Sequence, residues 1–225
     1  MWCVADLDAE YVGRMEDVLA LYERPYDATA PVVCLDEKPV SLHAEVRPPR
    51  PARPGHLAKR DNEYERCGTA NVFAIVEPKA GRHLTCATRD RSARAFARQI
   101  HAVVAAYPRA HTIHLVMDNL NTHREKALID QWGRRTGRRL WRRLTVHYTP
   151  KHGSWLNQAE IELSLVARQC LGRRRIAALR VLQAETRAWT ARANRRKVRI
   201  NWRFTRHDAR RKFGYKTKLS KRSET

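Results

Sequence analysis

The sequence predicts an α/β protein in which helices flank a mixed sheet of five strands. Three observations indicate this class. Short, nearly all-apolar runs bounded by polar or turn residues have the composition of strands that are covered on both faces. Two other runs are rich in residues that favour strands, and the segments between the later strands have helical periodicity. A chain of 225 residues can bury one substantial core.

The predicted elements alternate in type along the chain. They are a helix at 8–23, strands at 31–36, 69–76 and 83–88, a helix at 92–107, a strand at 112–117, a helix near 122–132, a strand at 144–148, a helix near 156–171 and an arginine-rich helical region at 173–213. No internal repeat interrupts this order, so the elements are expected to share one sheet.

Turn residues separate the elements of the first half. Pro25 ends the first helix, which carries an apolar stripe at helical spacing. Residues 46–55 contain four prolines and predict an extended, exposed loop. The Pro-Lys-Ala-Gly sequence at 78–81 predicts the turn between the second and third strands.

The helices of the second half follow from apolar spacing and capping residues. Pro108 follows the amphipathic helix that begins near Ser92. Thr205 and Asp208 have the spacing of a capping box for the last helix. The helix near 156–171 has a regular apolar stripe, formed by Leu156, Ala159, Leu163, Val166 and Cys170.

Three acidic residues lie at the edges of apolar runs, and the element order brings them together. Strand, strand, strand, helix, strand, helix, strand, helix is the ribonuclease-H-like, retroviral-integrase-type order, which places strand 1 beside strand 4. Asp36 and Asp118 stand at the ends of these two strands. Adjacent strands lie about 4.8 Å apart, so the two aspartates could share one ion. Glu160 would approach from the helix after the fifth strand. Carboxylates are hard oxygen ligands that suit two Mg²⁺ or Mn²⁺ ions about 3.5–4 Å apart, which can activate an attacking oxygen and stabilise a leaving one.

The glutamate of this set has a rival. At 100° per residue, Glu160 and Glu162 flank the apolar stripe on opposite sides at similar angles, so the helical wheel does not choose between them. Glu160 also stands three residues after Asn157, so an alternative is that it is simply the capping-box glutamate of its helix.

The two aspartates have structural alternatives as well. Asp36, next to Glu37, could be a turn acid at the end of a strand. Strand alternation sends the two to opposite faces and helps the choice of Asp36 over Glu37 only slightly. Asp118 could begin an Asx turn, because Asp readily bonds its own backbone.

Positive charge is confined to one part of the chain. Residues 1–133 hold 18 Lys and Arg against 18 Asp and Glu, whereas residues 134–225 hold 27 basic residues against five acidic ones and carry the whole net charge of +22. Such a surface predicts a polyanionic partner through phosphate contacts and counterion release. A merely solvated basic surface is the simpler alternative.

Other site classes find little support. The five cysteines are scattered and odd in number, which predicts reduced thiols rather than a disulfide framework or a zinc site. We find no signal-peptide pattern and no apolar run approaching the roughly 20 residues of a membrane span. We therefore expect a cytoplasmic protein with no membrane partner.

Three motifs resemble those of a known family. CLDEKP at 34–39, VMDNLNTH at 116–123 and HYTPKHGSWLNQAEIELS at 147–164 resemble the DDE transposases of the IS630 group, within the wider IS630/Tc1/mariner superfamily. The similarity extends from about residue 9 to 213 and includes WRFTRHDAR at 202–210. It implies that Asp36, Asp118 and the glutamate of the N-x-x-E motif, Glu160, are the catalytic and metal-binding residues.

The resemblance also implies an activity. Metal-dependent hydrolysis of a phosphodiester at a transposon end would be followed by transfer of the freed strand into target DNA, with two Mg²⁺ or Mn²⁺ ions as cofactors. The implied partners are transposon ends and target DNA with a preference for TA, bound by a homodimer. We expect Asn119, Asn121, His123 and Asn157 to support the carboxylates. We expect DNA contacts from Lys151, His152, Ser154, Trp155, Arg138, Arg139, Arg142, Arg173, Arg174 and Arg175. Trp155 is equally well explained as a core aromatic.

The expected organisation is a linker helix at 1–30, a catalytic core at 31–172, a basic helical extension at 173–213 and a basic tail at 214–225 that we expect to be disordered. Full-length members of the family begin with helix-turn-helix domains, and we expect this chain to lack them. Two alternatives therefore remain beside a transposase core: a non-transposing remnant that only binds DNA, and a ribonuclease-H-like nuclease without strand transfer.

Overall fold

The computed structural model describes residues 7–215, which form a mixed sheet between two layers of helices. Its strands are β1 (Val32–Glu45), β2 (Tyr64–Glu77), β3 (Arg82–His83), β4 (Cys86–Thr88), β5 (Ile113–Met117) and β6 (Leu144–Tyr148). The strand order is β3-β2-β1-β5-β6, and β4 also pairs with β2. β1 runs antiparallel to β2 and parallel to β5, and β5 is parallel to β6. Strand 1 therefore lies beside the strand that leads to Asp118, as the element order predicted.

Most of the helices occur in segments that were predicted to be helical, and one forms where no helix was predicted. They are α1 (Ala9–Glu23), α2 (Ala93–Ala106), α3 (Glu125–Trp132), α4 (Arg134–Trp141), α5 (Ala159–Leu165), α6 (Leu179–Arg196) and α7 (Arg206–Phe213). A 3-10 turn at Ser154–Leu156 precedes α5, and a π-helical segment at Val166–Leu171 continues it. Of the helices in residues 7–215, none has both the length and the apolar character needed to cross a bilayer.

The alternation of strand side chains divides the core between the two faces of the sheet. Val33 and Leu35 of β1 pack with α2, α3 and α4, whereas Cys34 between them packs on the other face with α1 and the start of α5. A third cluster joins β2 to α5 and α6. Because alternation continues along β1, Asp36 follows Cys34 toward α5, and Glu37 follows Leu35 toward α2 and α3.

Three elements differ from the prediction. β1 does not end at Asp36 but continues to Glu45 along β2. The predicted strand at 83–88 is broken into β3 and β4, so the sheet has six strands rather than five. The basic stretch before β6 forms the helix α4. It packs closely on α3, because a Cβ at Gly137 would lie 2.6 Å from the backbone nitrogen of Ile129.

The C-terminal segment packs back onto α1. The predicted capping box is present: Asp208 N–H donates to Thr205 Oγ1 at 3.1 Å, and Thr205 N–H donates to Asp208 Oδ2 at 3.1 Å. Arg206 and Arg210 of α7 bind Glu23 and Glu16 of α1. The predicted tail lies outside the described residues from residue 216 onward.

Candidate active site

Asp36 and Asp118 are brought together by the pairing of β1 with β5. Cys34 pairs with Val116 in that parallel ladder, and each aspartate follows its partner residue by two positions. Beyond this point β1 has β2 alone as a neighbour, and Asp36 is opposite Ala74. Asp36 is therefore within β1, at the place where β5 ends and the sheet opens.

The start of α5 is fixed against β1 by Asn157. Its side-chain Nδ2 donates to the Leu35 carbonyl at 2.8 Å, and its Oδ1 accepts from the Ala159 N–H at 3.1 Å. Asn157 is buried, whereas Glu160, three residues later, is exposed. The predicted supporting residue thus joins the helix that carries Glu160 to the strand that carries Asp36.

Glu160 and Glu162 face different surroundings. Glu162 is fully buried, and its Oε1 lies 2.6 Å from Nδ1 of His83 on β3. Glu160 is close enough to Asp36 for its charge to raise the pKa of that carboxyl. Glu160, and not Glu162, is therefore the glutamate of α5 whose charge acts on Asp36.

The electrostatics of Asp36 suit a cation. Burial, with smaller contributions from the charges of Glu37, Asp118 and Glu160, outweighs a lowering hydrogen bond from the Glu37 N–H and raises the pKa of Asp36 to about 7. A divalent ion would relieve this repulsion, and the oxygen donors suit Mg²⁺ or Mn²⁺. Within residues 7–215, no three acidic, histidine or cysteine side chains are already gathered tightly enough to enclose an ion. The donor set fits a hard cation, but the carboxylates are splayed.

His123 holds Asp118 from the opposite side. Its Nδ1 lies 2.6 Å from Asp118 Oδ1, and its Nε2 lies 3.5 Å from Glu37 Oε2. The ring is buried and stacks on Phe96, with ring centroids 4.5 Å apart. Burial lowers the pKa of His123, but the hydrogen bonds and charges of Asp118 and Glu37 outweigh it and raise the pKa to about 9. His123 is therefore a buried cation between two carboxylates.

The two other predicted supporting residues have looser settings. Asn119 is exposed and accepts one long hydrogen bond, 3.4 Å, from Arg124. Asn121 is exposed in the loop that precedes His123. Both lie in the loop that follows Asp118, so their side chains are available to solvent near that carboxylate.

A cleft of about 940 Å³ opens beside Asp118. Three of the predicted DNA-contact residues, Lys151, His152 and Ser154, line it together with Asn119. The start of α1 supplies the opposite wall through Asp8, Glu10, Tyr11 and Arg14. Lys151 and His152 are exposed, so a cation and an imidazole face the space next to a catalytic candidate.

Trp155 belongs to an aromatic cluster. Its ring contacts Trp202, Phe204 and Phe213, with centroids 5.5–6.5 Å apart, and its Nε1 donates to Tyr11 Oη at 3.3 Å. The structure therefore gives the core-aromatic explanation a set of definite contacts.

Arg138, Arg139 and Arg142 are exposed on α4 or at its end. Arg142 stands two residues before β6 begins, whereas Asp118 directly follows β5. Because β5 and β6 are parallel, Arg142 and Asp118 lie beyond opposite ends of these strands, and five strand residues span about 17 Å.

The arginines after α5 differ among themselves. Arg173 is exposed, and Arg174 pairs with Glu185 at 3.0 Å. Both terminal nitrogens of Arg175 are engaged within the chain: one binds Glu45 Oε2 and the Glu63 carbonyl at 2.6 Å each, and the other donates to the carbonyls of Asp61 and Asn62. Arg175 thus connects the far ends of β1 and β2 to the segment after α5.

Sequence patterns did not predict some of the residues at the site. Glu37 was considered only as a rival of Asp36, although the alternation of β1 indicates that it enters the other face. The cleft-lining residues of α1 carried no signal, because their nearness to Asp118 depends on how α1 packs. The four cysteines of the described residues form no disulfide with one another, and Cys3 lies outside those residues.

Comparison with known proteins agrees with this arrangement. Residues 31–183 match the model of a family described as DDE superfamily endonuclease. Similar solved structures are the Mos1 mariner paired-end complex with Mn (TM-score 0.55), the Mos1 strand transfer complex (0.56) and a pre-cleavage Mos1 transpososome (0.57), each 16% identical over 88% of this chain. Among curated proteins no sequence match was found.

The likeness to Mos1 concerns the fold. This chain covers 60–61% of the length of those Mos1 chains. The ribonuclease-H-like arrangement predicted from the element order is confirmed by the match in fold.

Proposed function

Because this chain belongs to the DDE superfamily endonucleases, we propose that it is the catalytic part of a DNA transposase of the IS630 group. In this proposal it hydrolyses a phosphodiester at a transposon end and transfers the freed strand into target DNA, with a preference for TA. It acts as a homodimer on DNA in the cytoplasm. Residues 31–172 form the catalytic core, 1–30 the linker helix and 173–213 the basic extension.

One observation carries the proposal: the convergence of Asp36, Asp118 and Glu160 at the open edge of the sheet. The charges of Asp118 and Glu160 both raise the pKa of Asp36, which supports a shared site for the three carboxylates. The solved Mos1 complexes contain transposon ends, and two of them contain Mn or Mg. These findings support DNA as the partner and a divalent ion as the cofactor.

Each residue of the site has a separate role in this proposal. Asp36, Asp118 and Glu160 would hold two Mg²⁺ or Mn²⁺ ions, which supply Lewis acidity at the scissile phosphate when bound. Protonated His123 keeps Asp118 ionised and oriented, and Glu37 keeps His123 in place. Asn157 holds Glu160 opposite Asp36. Lys151, His152 and Ser154 would contact the DNA backbone in the cleft beside Asp118.

The test compares wild type with Asp118→Asn on a pre-cleaved DNA end with Mg²⁺ or Mn²⁺. Asn keeps the shape of the side chain but lacks the charge that holds the metal. Loss of several kcal/mol of transition-state stabilisation corresponds to about a thousandfold lower rate of nicking or joining. DNA binding, measured by a mobility shift, should be unchanged because it depends on basic residues elsewhere.

Asp130→Asn is the matched control. Asp130 is an exposed acid of α3 that pairs with Lys126 at 2.8 Å, so its loss should leave the rate unchanged. If wild type and Asp118→Asn are equally inert with metal present and DNA bound, the chain is the DNA-binding remnant. Nicking without any joined product would instead identify a nuclease that lacks strand transfer.

A further inference from the structure

α5 is a short helix with few local restraints. It spans seven residues, lacks a side-chain cap at its start and continues into the π-helical segment Val166–Leu171. Glu160 lies on its exposed side, one residue after the helix begins. Something outside the helix must therefore fix its rotation about its own axis if Glu160 is to face Asp36.

A buried pair lies on the opposite side of α5. Glu162 and His83 are 0% and 1% exposed, and Glu162 Oε1 is 2.6 Å from His83 Nδ1. Residues 160 and 162 are 200° apart on a helix of 3.6 residues per turn. When Glu162 reaches His83, Glu160 is necessarily turned away from β3.

His83 is itself immobilised. Its Nε2 donates to the Val198 carbonyl at 2.9 Å. Its backbone N–H donates to Asn194 Oδ1 at 2.8 Å, and its carbonyl accepts from Asn194 Nδ2 at 2.9 Å. The ring meets Trp189 edge-on, with centroids 6.0 Å apart. β3, the end of α6 and the residues after it thus hold the imidazole as a fixed point for α5.

We propose that the His83–Glu162 pair is a positioning device that sets the rotation of α5 and so directs Glu160 toward Asp36. Asn157 anchors the helix on β1 three residues before Glu160, and Glu162 anchors it on β3 two residues after. Both side chains are buried, and neither lines the cleft beside Asp118. This inference rests on the proposed function, because it takes Glu160 as a metal ligand.

Two substitutions separate the directional bond from simple packing. Glu162→Gln keeps a hydrogen bond, since the Gln Nε2–H donates to His83 Nδ1 while His83 Nε2–H still donates to Val198. The double variant His83→Leu/Glu162→Leu removes the bond but leaves no unpaired buried charge, and such apolar replacements are often neutral or stabilising. The matched control is Lys126→Leu/Asp130→Leu, which removes an exposed ion pair of α3.

The readouts are Mn²⁺ affinity from the electron paramagnetic resonance signal of free Mn²⁺, paramagnetic broadening of the Glu160 carboxyl carbon in ¹³C-Glu-labelled protein, and the rate of DNA nicking. Glu162→Gln and the control pair should match wild type in all three. The double variant should melt cooperatively and bind DNA as wild type does. Its Mn²⁺ affinity should fall about 10–100-fold, and Mn²⁺ should no longer broaden the Glu160 signal.

Four results would overturn the inference. Equal Mn²⁺ affinity and equal broadening in all forms exclude the positioning role and leave the proposed function intact. A loss in Glu162→Gln as large as in the double variant shows that the hydrogen bond does not set the rotation. A wild type that binds no Mn²⁺ and cleaves no DNA removes the proposed function and this inference with it. If the double variant does not fold, Glu162→Met repeats the test, and wild-type affinity in Glu162→Met excludes the role.

Discussion

Asp36 and Glu37 are adjacent acids on β1, and the pleat of the strand sends them to opposite faces of the sheet. Asp36 faces α5 and Glu160, where like charges surround it. Glu37 meets His123 on the face covered by α2 and α3. His123 in turn contacts Asp118, so both acids act on the same site from different sides.

The charge of His123 predicts a pH dependence of stability. Its pKa is raised to about 9, above the 6.5 of an unfolded chain. The stabilisation is therefore fully present below about pH 6.5 and is lost as pH rises through about 9. The shift corresponds to about 3 kcal/mol at most.

The measurement is the free energy of unfolding in urea from pH 6 to 10 without divalent metal. The free energy of unfolding of His123→Gln should fall below that of wild type by the largest amount near pH 6. That difference should shrink by up to about 3 kcal/mol by pH 10. His56→Gln, in an exposed loop, should follow wild type throughout. A deficit that does not vary with pH would show that His123 is neutral in the folded protein.

At the scale of elements, the start of α5 depends on one amide. Asn157→Ala removes the bond to the Leu35 carbonyl and the bond from the Ala159 N–H, both buried. We expect a loss of about 1–3 kcal/mol in the free energy of unfolding. Asn119→Ala should change it by less than about 0.5 kcal/mol, because Asn119 is exposed with one long bond. Equal effects of the two substitutions in chemical denaturation would contradict the anchoring role of Asn157.

How far these elements could be predicted depends on what each one contacts. The strands predicted at 112–117 and 144–148 agree with β5 and β6 within a residue, because apolar and β-branched residues make up most of each run. β1 was predicted too short because Glu37, Lys38 and Pro39 look like the end of a strand. Pro39 is tolerated since β5 pairs only with Val32 to Cys34, and β1 has an open edge beyond that point.

The site was partly predictable, because some of its residues have local sequence signals and others depend on contacts between distant segments. Asp36, Asp118 and Glu160 carry their own sequence signals: a strand ending, a turn and a helix start. The choice of Glu160 over Glu162 came from the family motif, since periodicity gave no preference. His83, the partner that holds Glu162, is 79 residues away in sequence, and no local pattern reports that contact. α4 was missed because its apolar side is small: Gly137 and Leu140 are buried among arginines.

For the whole molecule, the confinement of positive charge to residues 134–225 determines how DNA should bind. Many of these arginines are not available. Arg206 and Arg210 bind glutamates of α1, and Arg175 connects β1 and β2 to the segment after α5. Arg138 and Arg139 are exposed on α4, with no carboxylate at ion-pair distance in the part of the chain that the structure describes. The free charge is therefore concentrated on a few surfaces such as α4.

This distinction predicts which arginines contribute to DNA affinity. Binding to random duplex DNA should weaken linearly in a plot of log affinity against log salt concentration, because phosphate contacts release counterions. Arg138→Ala/Arg139→Ala should reduce the slope by up to about 2 if both arginines contact phosphates, with a similar effect on every sequence. Arg206→Ala/Arg210→Ala removes the same formal charge but takes it from paired side chains, so its slope should stay close to that of wild type.

Fluorescence anisotropy from 50 to 300 mM salt measures the slopes of the two double variants. Equal slopes for the two double variants would mean that net charge alone governs binding, and α4 would then have no special place on the DNA path. A reduced slope only in the α4 variant would mean that the exposed arginines of α4 contact phosphates and that α4 lies on the DNA path.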